Sequence, residues 1–153
     1  VRWNAPHQHR ARWNESDLCP SRQPVAFEAM SAVRAIRGAT SVDEDNQEEI
    51  RSAMCELWSE IVARNEIHDD DLISVIVAVT DDLHSMFAGQ ALREECGLDD
   101  VPLLGTVDAA VVGGMTKTLR VMAHVNTDKT RGEIAHVYLR NAANLRPDLS
   151  SEV

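Results

Sequence analysis

"TLRVMAHV", residues 118–125, is the stretch on which the fold turns. Alternation places Leu119, Val121, Ala123 and Val125 on one face of a strand, and Thr118, Arg120, Met122 and His124 on the other. A strand this apolar is expected to be buried on at least one side. Arg120 stands in its middle, and the nearest acidic residue upstream is Asp108. A guanidinium taken out of water without a partner costs several kcal/mol. Either the protein or a ligand must supply that partner.

The segments around this strand read as a sheet protein. "AVRAIRGATSV" (32–42) predicts a first strand, and "LISVIVAVT" (72–80) a second, β-branched and central. Between them "DEDNQEEIRSAMCELWSEIVARN" (43–65) predicts an amphipathic helix, with Ile50, Met54, Leu57, Trp58, Ile61 and Val62 on one side. Acidic residues crowd its first turns, where the helix dipole favours them. Residues 81–87 predict a loop, and 88–97 a short helix closed by Gly97. A short strand follows over 101–105, then a connection over 106–114 ending in Gly113-Gly114. The fourth strand spans 115–126, and "RGEIAHVYLRNAANL" (131–145) is expected to contain a helical segment. Pro147 prevents a helix from continuing into the tail. The order β-α-β-α-β-β-α predicts an α+β (α/β-type) domain, its sheet covered mainly on one face by helices.

A chain of 153 residues, 44% apolar and 26% charged, suits one folded domain over 30–153, with no stretch long enough to span a membrane. Residues 1–29 hold two of the three Trp and show no periodicity. They are expected to be a disordered extension or a mis-assigned start, since "MSAVRAIRGAT" from Met30 reads like a natural beginning. A net charge of −10 argues against general nucleic-acid binding, yet permits a small anionic ligand held by a few converging cations. Cys19, Cys55 and Cys96 form neither a metal-ligand spacing nor a disulfide framework, so a reducing cytoplasm is expected. The cations are 13 Arg and 2 Lys. Codon bias would explain this, and so would bidentate carboxylate recognition.

No nucleophile elbow, phosphate-binding glycine loop or zinc pattern is present, and His84, His124 and His136 are scattered. What stands out is arginine in or beside apolar segments: Arg37 in "IRGAT", Arg93 on the short helix, Arg120 in its strand and Arg146 before Pro147. Each alone reads as solvated or salt-bridged. With Asp108 and Tyr138 they would suit a pocket for a small polycarboxylate, although spacing alone does not bring them together.

Residues 33–149 resemble the monofunctional trimeric chorismate mutases of the Bacillus type. The matching stretches are "IRGAT", "DLHSMF", "ALRE", "VP", the "GG" turn followed by "LRVM", and "HVYLRNAANLRPDL", in the family's order and spacing. The resemblance implies a mixed four-stranded sheet and a homotrimer whose three sheets form a pseudo-barrel, with active sites between neighbouring subunits. It implies the Claisen rearrangement of chorismate to prephenate in aromatic amino-acid biosynthesis, with no cofactor or metal. Such a reaction needs conformational restraint, clamps for two carboxylates and donors near the ether oxygen.

By the resemblance, Arg120 is the cation at the ether oxygen, so that the substrate is its partner. Arg37 holds a substrate carboxylate and Tyr138 supports it. Phe87 and Arg93 reach in from the neighbouring subunit, and Leu145 and Arg146 stand at the start of the mobile tail (146–153) that closes over the cleft. Asp108 stands where the family has Glu for the ring hydroxyl, Gly105 where it has Cys, Leu104 where it has Thr, and Gln90 where it has Lys. Two other readings stand beside this one. The departures would suit a modified, chorismate-like ligand, and a non-catalytic trimeric small-molecule binding protein would share the architecture.

Overall fold

The computed structural model describes residues 31–148. The segment 1–29, read above as an extension, and the tail from residue 149 lie outside the described residues. The elements are β1 (Ala32–Ser41), α1 (Gln47–Asn65), β2 (Leu72–Val79), α2 (Ala88–Cys96), β3 (Leu103–Val107), β4 (Thr118–Thr127) and β5 (Val137–Tyr138), with short 3-10 segments at Asp69–Asp71, Arg131–Glu133 and Arg140–Leu145.

The sheet is mixed, in the order β3-β2-β4-β1-β5. The strand carrying Arg120 is its centre: β4 runs antiparallel to β1 on one side and to β2 on the other. β3 and β5 extend the sheet in parallel with β2 and β1. The expected four strands are present, and β5 is a fifth. Residues 131–145 therefore depart from the expected helical segment. Only 3-10 turns form there, and between them Val137 and Tyr138 pair with Gly38 and Ala39. The free edge of β1 captures a dipeptide whose own sequence is too short to show strand periodicity.

Alternation in β4 holds as read. Leu119, Val121, Ala123 and Val125 are buried, while Arg120, Met122 and His124 are only half-buried. The buried face meets both helices. From α1 it receives Ile50, Ala53, Met54, Leu57, Trp58 and Ile61, and from α2 Ala91 and Leu92. Each fully buried Leu or Ile contributes about 1.5–3 kcal/mol relative to exposure. The closest approach of helix and sheet is at Gly38, where an added Cβ would lie 2.6 Å from Ile61 Cδ1 and 3.1 Å from Leu57 Cδ1. Among the described residues no helix is long and apolar enough to cross a membrane.

Helix α1 begins later than its acidic run, because Asn46 caps it. The Asn46 side chain accepts the Glu49 amide at 2.8 Å, and the Glu49 carboxylate accepts the amides of Asp43 and Glu44. At its far end Asn65 is buried and acts as a staple. Its Nδ2 donates to the carbonyls of Ile61 and Ala135, and its Oδ1 accepts the Ala135 amide at 2.9 Å. This fixes the chain just before His136 and Tyr138. Gly97, at φ 74°, closes α2 as expected.

Candidate active site

The face of the sheet away from the helices carries a pocket of about 340 Å³. Register explains its floor. Ala78 and Ala39 flank Arg120 across the sheet, and Ile76 and Arg37 flank Met122. Small neighbours on both sides leave room above the guanidinium. Tyr138 stands beside Ala39 on β5, and Leu145 and Arg146 complete the wall from the last 3-10 segment.

Among the described residues Arg120 has one charged protein partner, Asp108, where the resemblance implied the substrate. Its Nη1 lies 2.9 Å from Asp108 Oδ2. Asp108 is placed by backbone bonds: its amide donates to the Val79 carbonyl at 2.8 Å, and its Oδ1 accepts the Ala109 amide. The connection after β3 thus folds back beside β4, a contact that sequence separation did not show. The Arg120 Nε is buried without a hydrogen-bond partner among the described residues, and so is the Tyr138 hydroxyl. Buried polar atoms are nearly always paired, so two orphans lining one pocket mark a place built for polar atoms of a ligand.

The loop from β5 onward is tied to the edge of β1. Leu139 N donates to the Ala39 carbonyl, Arg140 to the Ser41 carbonyl, and Asn141 N to Ser41 Oγ. Arg140 also pairs with Glu56 of α1 at 2.6 Å. These bonds hold Leu145 and Arg146 over the pocket. Arg146 itself pairs with Asp148 at 2.7 Å, and that hydrogen bond raises its pKa.

His136, set aside as scattered, has a role in this wall. Its Nδ1 accepts the Arg37 amide at 3.1 Å, joining β1 to the segment that carries Tyr138. Burial, followed by the charges of Arg37 and Arg146, lowers its pKa below the ordinary 6.5. A neutral ring is what an acceptor Nδ1 requires. The only sequence signal was its place in "HVYL", two residues before Tyr138.

The other expected residues lie elsewhere. Phe87, Gln90, Arg93 and Gly105 line a second, larger cleft of about 900 Å³ between the 81–87 loop, α2 and β3. It shares no lining residue with the first. The second cleft takes Val77, Val79, Leu103, Gly105, Thr106 and Val107 from the β2–β3 edge, whereas the first takes Ile76 and Ala78 from β2, so the two are separate in the single chain. Asp45 holds the loop: its carboxylate accepts the amides of His84 and Ser85, and its pKa is lowered, chiefly by Ser85. Phe87, at the loop's end, is 85% exposed. Gln90 bonds Glu94 at 2.6 Å, and Gly105 has open space where a side chain would stand.

Comparison with known proteins places this arrangement in a family. The family described as chorismate mutase type I matches residues 33–149. Chorismate mutase AroH of Bacillus subtilis (strain 168) is 40% identical over 118 residues, covering 77% of this chain and 93% of that protein. Chorismate mutase AroH of Thermus thermophilus is 43% identical over 120 residues, covering 78% and 98%. A solved chorismate mutase from Clostridium thermocellum superposes with a TM-score of 0.70 at 40% identity, covering 72% of this chain and 98% of its own. The chain belongs to the chorismate mutase type I family.

Proposed function

We propose that this chain converts chorismate to prephenate in aromatic amino-acid biosynthesis, within the cytoplasm. The observation that carries the reading is the pair of buried donors without a partner among the described residues, Arg120 Nε and Tyr138 Oη, on residues that line one pocket with Arg37 and Arg146. The rearrangement breaks a C–O bond and makes a C–C bond within one molecule. Electron density gathers on the ether oxygen as the C–O bond stretches. Arg120 is oriented through Nη1 by Asp108, which leaves Nε to donate to that oxygen. A preorganised donor of this kind gives more to the transition state than to the ground state. Arg37 and Tyr138 take one carboxylate, and Asp108 meets the ring hydroxyl through its carboxylate. Leu145 and Arg146 close the pocket and hold the compact conformer in which the reacting carbons meet.

The working form is a homotrimer. Phe87, Gln90, Arg93 and Gly105 line a different cleft from Arg120, so one copy does not bring both sets to one substrate. A neighbouring copy does, with its second cleft set against the first pocket. That contact would also cover Phe87, Leu104 and Val107, all largely exposed in the single chain. Arg93 then faces the second carboxylate.

The test is enzyme-dependent loss of the ultraviolet absorbance of chorismate, with prephenate confirmed by acid conversion to phenylpyruvate. Stoichiometric prephenate supports the reading. A folded trimer that binds chorismate without turnover would reassign the pocket to binding, and preference for an amino-substituted enolpyruvyl ether would reassign the substrate.

A further inference from the structure

Cys55 on α1 and Cys96 on α2 face each other across the seam between the two helices, with their sulfurs 3.6 Å apart. Both are half-buried, so each is within reach of a small reagent. The register of the seam is fixed independently. One turn before Cys55, Arg51 pairs with Glu94 at 2.7 Å and with Glu95 at 3.0 Å, next to Cys96. We propose that Cys55 and Cys96 form a reversible disulfide that staples α1 to α2 when the protein meets a small-molecule disulfide. The gap to a bonded S–S distance is about 1.5 Å, within the reach of side-chain torsion.

The order of events follows from the hydrogen bond. The Cys96 thiol donates to Cys55 Sγ, and burial together with Cys55 pushes its pKa up to about 12. Cys96 therefore keeps its proton, and Cys55 is the first to attack. The Cys55 thiolate displaces one thiolate from the small disulfide, forming a mixed disulfide. Cys96 then attacks Cys55 Sγ and expels the second small thiolate, which takes up the Cys96 proton. Two protein thiols are oxidised and one disulfide is reduced to two thiols. A reducing cytoplasm keeps the pair open, and an oxidising shift closes it. The staple would fix the helix that carries Gln90 and Arg93, through the Gln90–Glu94–Arg51 chain that already links it to α1.

The full-length protein would be incubated with excess oxidised glutathione, quenched by alkylation and mapped by mass spectrometry without reduction. The expected product is a Cys55–Cys96 peptide pair lighter by two hydrogens, restored by dithiothreitol, with a melting temperature several degrees higher. Cys19→Ser should close as the wild type does. Cys96→Ser should halt at a glutathione adduct on Cys55. Persistent glutathione adducts in the wild type, a bond through Cys19, or thiols that remain alkylatable in the folded protein would overturn the proposal.

Discussion

Asp108 holds Arg120 by a single guanidinium nitrogen at 2.9 Å and leaves its Nε buried and unpaired among the described residues. The ion pair is partly solvated, with the two side chains 34% and 25% exposed, so it contributes only about 0–1 kcal/mol to stability. Its value is in aiming the arginine. Asp108→Asn should therefore leave the urea midpoint nearly unchanged. It should lower kcat/KM roughly tenfold, equivalent to about 1.4 kcal/mol of barrier. A large loss of stability with unchanged turnover would show that the pair serves folding instead.

Gly38 has no room for a side chain under α1, since Ile61 and Leu57 are both fully buried. Gly38→Ala should destabilise the fold by about 1–3 kcal/mol through overpacking. The gain from a stiffer strand residue, about 0.5–1 kcal/mol, is smaller. Chemical denaturation of the variant checks this.

His136 gives a pH dependence with a definite sign. Its folded pKa lies below 6.5, so the fold favours the neutral ring and the unfolded chain binds the proton more readily. The stability from this group is complete above pH 6.5 and is lost as pH falls from there through the lowered value. Protonation also removes the acceptor that holds the Arg37 amide. His136→Gln should flatten the change in urea midpoint between neutral pH and the acid side of 6.5. An equally steep change in the variant would assign it to other groups.

The placement of Arg120 and Arg93 in separate clefts predicts complementation between subunits. Arg120→Ala and Arg93→Ala chains should each be nearly inactive alone. Refolded together in equal amounts, they should regain about a quarter of the intact sites, because some interfaces join the two unaltered halves. Sedimentation should show trimers throughout. No recovery in mixed trimers would mean that both arginines serve a site within one chain.

Much of this was legible in the residues. Alternation over 118–125 gave a strand and its buried face, though 72–80 was read as the central one and β4 holds the middle of the sheet, and the 3.6-residue pattern gave α1. Its start was misplaced because Asp43 and Glu44 look like first-turn acids, whereas their amides bind Glu49. β5 was hidden because Val137 and Tyr138 become a strand only against the edge of β1. Arg37, Arg120, Tyr138 and Arg146 were named from apolar context and resemblance, and they converge. The Asp108–Arg120 pair was not legible, because a turn between two strands sets it. Asn65 and His136 were missed as site supports, since their partners are backbone groups distant in sequence.

The most direct measurement is the turnover of chorismate by Arg120→Ala beside the wild type, with circular dichroism and sedimentation to verify the fold and assembly. Removing a preorganised donor at the developing charge should cost about 2.7–4 kcal/mol of barrier or more, a fall in kcat of at least a hundredfold or so. Prephenate formation within a few-fold of the wild type, in a correctly folded variant, would contradict the role given to Arg120 and with it the site.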